Sequence, residues 1–94
     1  MRIGICTVEL YLPGITSLKE KRSIMKPLLS RLHKTFNISA AEVAHQDVWQ
    51  SATIGIAVVS NSSTHARQVV VNTLEWIETN FPDIHIIKQE IEIL

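Results

Sequence analysis

Two groups of residues in this 94-residue chain have types and spacings that chemistry could use. The first is a run of cations. Lys19, Lys21, Arg22, Lys26, Arg31 and Lys34 are six of the nine Lys and Arg residues, and all fall between Ser17 and Phe36. At about 100° of helix per residue, Lys19, Arg22, Lys26 and His33 share a stripe roughly 60° wide, near one cation per turn. Such a row suits a phosphate backbone, whose contacts are mainly electrostatic. Lys34, just off the stripe, joins Lys19, Arg22 and Lys26 as a candidate contact to nucleic acid or another anion. The plainer reading is that cations edge a buried stripe, lay their stems over it and keep their heads in water. Lys21 falls inside the apolar arc. It is expected to snorkel around the helix start, the alternative being a buried functional lysine.

The second group is His45-Gln46-Asp47-Val48-Trp49-Gln50. His45 and Asp47 have the types of an acid–base pair or of metal ligands, and form the candidate polar site. Two ligand types two residues apart fall far short of a zinc site. The structural reading has Asp47 capping a local turn and Trp49 closing one end of the core. His33, His65 and His85 lack the Cys, Asp or Glu spacing of a metal or catalytic centre. Cys6, on an apolar strand, reads as an inert residue. There is no Ser-His-Asp arrangement, nucleophile elbow, Walker loop or GxGxxG. The sequence therefore asks for no catalytic residue, metal or cofactor.

These residues must be positioned by six elements. Ile3–Leu12 reads as a strand with Cys6, Val8, Leu10 and Leu12 on one apolar face, and Ile3, Ile5, Thr7, Glu9 and Tyr11 on a mixed one. Pro13-Gly14 stops it. Ser17 is the expected N-cap, and Ser17-Leu18-Lys19-Glu20 fits the capping box. The helix that follows carries Leu18, Met25, Leu29, Leu32 and Phe36 at helical spacing to about Phe36. Pro27 breaks its hydrogen-bond ladder, so either the helix kinks or a second one opens there. The apolar stripe keeps phase across Pro27, which favours a kink. Asn37–Ala44 is a weaker strand, with a bulge or early end between Ile38 and Val43. Thr53–Val59 is a clear strand. Ser60–Ser63 precedes a second helix over about Thr64–Asn80, buried through Ala66, Val69, Val70, Thr73, Leu74 and Ile77. Ile84–Ile93 is the last strand, with a bulge or twist near Ile87.

The order β-α-β-β-α-β is the ferredoxin-like split βαβ arrangement, an α+β sandwich. It places two helices on one face of a four-stranded antiparallel sheet, in a single domain over 1–94. The RNA-recognition motif has the same order but stacks bases on central-strand aromatics; here those strands offer only Tyr11, near one end. Acylphosphatases place an arginine in the loop after strand one, and Pro13–Thr16 has none. The loop Pro13–Ser17 still offers free backbone N–H groups to an anion. Ile3, Ile5 and Val59 on the open sheet face suggest that it is covered, with a second copy as a plausible cover and hence a homodimer.

Formal net charge is zero, which excludes a globally basic nucleic-acid binder. The charges are uneven, however. Residues 1–50 carry seven Lys and Arg against four Asp and Glu, and residues 51–94 carry two against five, so a local basic patch is possible. The single cysteine rules out an intrachain disulfide and fits a reducing compartment. No signal-peptide pattern and no apolar run of about 18 residues is present, so no membrane span is read and a cytoplasmic location is expected.

Cys6–Leu10 (CTVEL), Ser17–Arg22 (SLKEKR), Phe36-Asn37, Ala41–Val43 (AEV), Gln46–Gln50 (QDVWQ) and Val58–Asn61 (VVSN) together resemble the YlxP-like family of small bacterial proteins. The resemblance implies a ferredoxin-like fold and a domain of unknown function. It also implies genes that often lie near those for translation initiation and ribosome maturation; it brings no catalytic residues. The expectation is a non-enzymatic binding protein contacting ribosomal RNA or a ribosome-assembly partner through the basic helix. The alternatives are a small-ligand or anion-binding module at Pro13–Leu18 or at a dimer interface and, behind it, an enzyme using His45 and Asp47.

Overall fold

Along the first strand Cys6, Val8 and Leu10 alternate with Thr7, Glu9 and Tyr11, and this period of two decides which side is dry. In the computed structural model, which describes residues 1–94, the first three are buried and the intervening side chains reach the open face. That strand, β1 (Arg2–Tyr11), is followed by α1 (Leu18–Thr35), β2 (Ser39–Ala44), β3 (Ser51–Ser60), α2 (Ser63–Asn80) and β4 (His85–Ile93). The sheet order is β2-β3-β1-β4, and every neighbouring pair is antiparallel. Both helices cover one face. Met25, Leu28 and Leu32 of α1 and Ala66, Val70, Leu74 and Ile77 of α2 join the inward residues of the strands in one core.

Both expected bulges are present. The β2–β3 register shifts between Glu42 and Ala44, and the β1–β4 register shifts between Glu9 and Leu10, opposite the step from Lys88 to Ile86. Val43 and Ile87 are the extra residues, and each bulge restores the apolar alternation that the sequence breaks there.

At Pro27 the sequence favours a kink over the start of a new helix. The helix runs unbroken from Leu18 to Thr35 with Pro27 inside it, so no second helix opens. Ser23, whose carbonyl loses its partner to the proline, is exposed, as is Pro27. Water can satisfy that carbonyl, and the ladder tolerates the missing bond. The N-cap is Ser17, whose Oγ accepts from Glu20 N–H at 3.1 Å. The reciprocal half of the capping box is displaced by one residue. Glu20 reaches the Thr16 hydroxyl at 2.6 Å and the Thr16 N–H at 3.4 Å, not the backbone of Ser17.

Gly4 sets how closely α2 approaches β1. A Cβ there would stand 3.0 Å from Val58 Cγ1 and 3.3 Å from both the Cβ and the carbonyl oxygen of Ala66. Backbone cannot yield as a flexible side chain can. Gly4→Ala is therefore expected to destabilise the protein by about 1–3 kcal/mol, seen as a lower midpoint in a denaturant melt. An unchanged midpoint would mean that α2 is free to slide.

Candidate functional site

The six cations of α1 do not share one fate. Lys21 points inward and is 2% exposed, so the expected snorkel around the helix start does not occur. Its ammonium donates to the carbonyls of His45 at 2.6 Å and Val48 at 2.8 Å. It also lies 2.7 Å from Glu42 Oε2. That last contact is ionic and off the hydrogen-bond axis, so Oε2 is buried without a directed donor. Two hydrogen-bond acceptors and one carboxylate contact around the ammonium offset the cost of burying it. They tie the start of α1, the end of β2 and the β2–β3 connection into one knot.

The knot explains the backbone of that connection. His45 has φ 62°, the left-handed region that a side chain other than glycine's enters at a cost. It is held there from both sides. Its carbonyl accepts a hydrogen bond from the Lys21 ammonium, and its ring Nδ1 lies 2.7 Å from Thr53 Oγ1. The turn is closed by Val48 N–H donating to the His45 carbonyl at 3.1 Å. The Asp47 carboxylate, expected to cap that turn, makes no hydrogen bond and is exposed. Trp49, expected to close the core, is 49% exposed. With its neighbours pinned by Lys21, the chain carries Trp49 outward, and Leu12 and Ile15 close that end instead.

His45 and Asp47 are not brought together. The His45 ring meets Thr53, which the β1–β3 register puts opposite Glu9 on the open face. Asp47 lines a cleft of about 280 Å³ on the helix side, with Leu18, Lys21, Arg22, Met25, Glu42 and Gln46. No hydrogen bond joins the two side chains. Nowhere do three His, Cys, Asp or Glu residues converge as a metal cluster. Cys6 is buried, and burial pushes its thiol up, so it is poorly nucleophilic at neutral pH. Iodoacetamide should leave it unmodified in the native protein and label it in guanidinium.

At Pro13–Ser17, where the sequence offers backbone N–H groups to an anion, a carboxylate of the chain itself takes part of the site. Glu20 takes the Thr16 N–H and hydroxyl, and Ser17 Oγ takes the Glu20 N–H. The Glu20 carboxylate thus stands beside the donors an incoming anion would use and takes those of Thr16.

Arg31 is the second cation drawn aside. Its guanidinium lies 5.1 Å from the Trp76 ring centre and 5.2 Å from that of Phe81, and reaches Asn80 Oδ1 at 3.4 Å. It therefore bridges the two helices by cation–π contact. His33 leaves the row as well. Its Nε2 accepts the Ala40 N–H at 3.2 Å, which ties the ring to the β2 edge. Lys19, Arg22, Lys26 and Lys34 remain. All four are exposed, and neither of the two ion pairs in the molecule involves them.

Comparison with known proteins agrees with this architecture. A family profile described as a protein of unknown function (DUF503) matches residues 3–91. The chain belongs to that family. It is 38% identical over 82 residues to the uncharacterized protein YlxP of Bacillus subtilis (strain 168), covering 87% of this chain and 88% of that relative. The YlxP-like resemblance is thereby established. Among solved structures, the de novo designed protein Foldit4 superposes with a TM-score of 0.54 at 8% identity, over 100% of this chain and 97% of its own. The de novo designed protein LFR1 1, which has a ferredoxin fold, gives 0.52 at 12% identity, over 100% and 83%. At such identities these two speak for the fold alone. Within this family member, three segments that carry the resemblance, Ser17–Arg22, Ala41–Val43 and Gln46–Gln50, meet around the Lys21 ammonium.

Proposed function

We propose that this family member is a non-enzymatic, cytoplasmic binding protein that docks on ribosomal RNA, alone or within a ribosome-assembly partner, through α1. The carrying observation is the sorting of the helix cations. Lys21 and Arg31 are held by the protein itself, while Lys19, Arg22, Lys26 and Lys34 project into solvent without an acidic partner. A cation paired in cis would have to break that bond to meet a phosphate; these four do not. Lys19, Arg22 and Lys26 repeat at one-turn intervals along about 10 Å of helix, which suits a run of backbone phosphates more than one small anion. The carboxylates Glu9, Glu90 and Glu92 belong to β1 and β4, away from the α1 stripe beside β2. The gene neighbourhood that the YlxP-like resemblance implies, beside ribosome maturation, is in keeping with this reading.

No helix of the molecule is long and apolar enough to cross a membrane. The separation of His45 from Asp47 weighs against acid–base catalysis, and Glu20 weighs against a free anion at the helix start. The test is a salt titration of binding to ribosomal RNA and small subunits, comparing the native chain with Lys19→Ala/Arg22→Ala/Lys26→Ala/Lys34→Ala. Equal affinity in both would remove α1 from the mechanism.

A further inference from the structure

The two outer edges of the sheet are not equivalent. The exchange of bonds between Ile3 and Leu94, at 3.2 and 2.8 Å, fixes the phase of the β1–β4 ladder. Because antiparallel bonding alternates, Lys88, Glu90 and Glu92 bond inward to β1, while Gln89, Ile91 and Ile93 turn their N–H and C=O groups outward. Nothing in the chain pairs with them. On the opposite edge the phase turns Ala40 and Glu42 outward, and there the Ala40 N–H is already taken by His33. The β2 edge is also short and flanked by the cation stripe. The β4 edge is the free one.

We propose that β4 pairs with β4 of a second copy, antiparallel about a two-fold axis at Gln89, to form a continuous eight-stranded sheet. The charge register selects this arrangement. Centred on Gln89, each Lys88 faces Glu90 of the second copy, and the outward groups of Gln89 bond across the axis. Moving the centre to Lys88 sets lysine against lysine; moving it to Glu90 sets glutamate against glutamate, and directly opposed like charges destabilise a strand pair. The centring on Gln89 also brings Ile87, 59% exposed at its bulge, beside Ile91 of the second copy.

The open face, the surface first expected to hold a second copy, serves less well. It is apolar around Ile3, Ile5, Ala57 and Val59, but Glu9, Glu90 and Glu92 line its other half. A face-to-face dimer would strip water from those carboxylates with Lys88 as the cation among them. Edge pairing leaves them in water, and each Lys88, which lies 3.4 Å from the exposed Glu90 of its own copy, also comes to face Glu90 of the second copy. It also leaves α1, over the far edge, open in both copies.

One strand edge is a small interface, in the class of weak associations. The measurement is sedimentation equilibrium of the full chain up to about 1 mM, alongside three variants, with far-UV circular dichroism confirming each fold. The native chain is expected to dimerise reversibly. Lys88→Glu should weaken the dimer about tenfold, because both symmetry-related pairs turn repulsive at once. Lys88→Glu/Glu90→Lys should restore it to within about threefold, since opposite charges face each other again. Gln89→Pro, which removes a donor that points away from β1, should leave a folded monomer. A native chain that stays monomeric at the highest concentration overturns the proposal. So does a dimer indifferent to Lys88→Glu and Gln89→Pro, or a charge exchange no better than the single reversal.

Discussion

Lys21→Met is expected to lower the melting temperature by about 15 °C, the largest effect of any substitution on α1. Removing one partner of a buried ion pair costs about 3–5 kcal/mol when the other is left without compensation. Here the orphaned groups are the Glu42 carboxylate, whose side chain is 20% exposed, and the carbonyls of His45 and Val48. The connection can open to water and recover part of that loss, so about 2–4 kcal/mol is the reasonable range. In a domain of this size each kcal/mol moves the midpoint by about 4–8 °C. The double variant Lys21→Met/Glu42→Gln should be more stable than Lys21→Met alone, because the second change removes the stranded charge. Limited proteolysis should find new cleavage between His45 and Gln50 in the single variant. A Lys21→Met melt within about 3 °C of the native one would show that the knot is ornamental.

How far the sequence announced this knot follows from particular residues. Period-two and helical spacing placed every element, and breaks of phase around Val43 and Ile87 marked both bulges. Such patterns are local, and local patterns survive without a structure. Lys21 lay visibly inside the apolar arc, yet its fate depended on acceptors 24 and 27 residues away along the chain. Only the return of β2 along α1, followed by a left-handed turn at His45, brings them within reach. Trp49 misled for the same reason: its size argued for burial, but the anchored turn carries it outward. His33 belonged to the cation row by spacing, and leaves it because Ala40, seven residues on, comes back with its N–H outward. The cost of Pro27 inside the helix depends on whether the Ser23 carbonyl stays wet, which spacing along the chain does not show. The spacing of Lys19, Arg22 and Lys26 did carry through, and the structure sharpened it by subtracting the cations the protein holds for itself.

That subtraction gives the second large effect a definite size. Each phosphate neutralised releases counterions, so log Kobs falls with log salt at about 0.7–0.9 per contact. If Lys19, Arg22, Lys26 and Lys34 each meet one phosphate, the native chain should show a slope near −3, losing about 60-fold in affinity between 50 and 200 mM salt. The fourfold alanine variant should bind weakly with a slope near zero. The threefold variant retaining Lys34 should keep a slope of about −0.8. Arg31→Gln separates charge from contact. It removes one unit of charge from the same helix, but a guanidinium lying over Trp76 and Phe81 is not available to a phosphate. Its effect should be a lower melting temperature with the salt slope unchanged. A slope that falls equally for Arg31→Gln and Lys26→Ala would mean that RNA senses the net charge of the helix and not these four side chains. In that event the one-turn spacing would have no role, and α1 would be a solvated face that attracts polyanions without docking them.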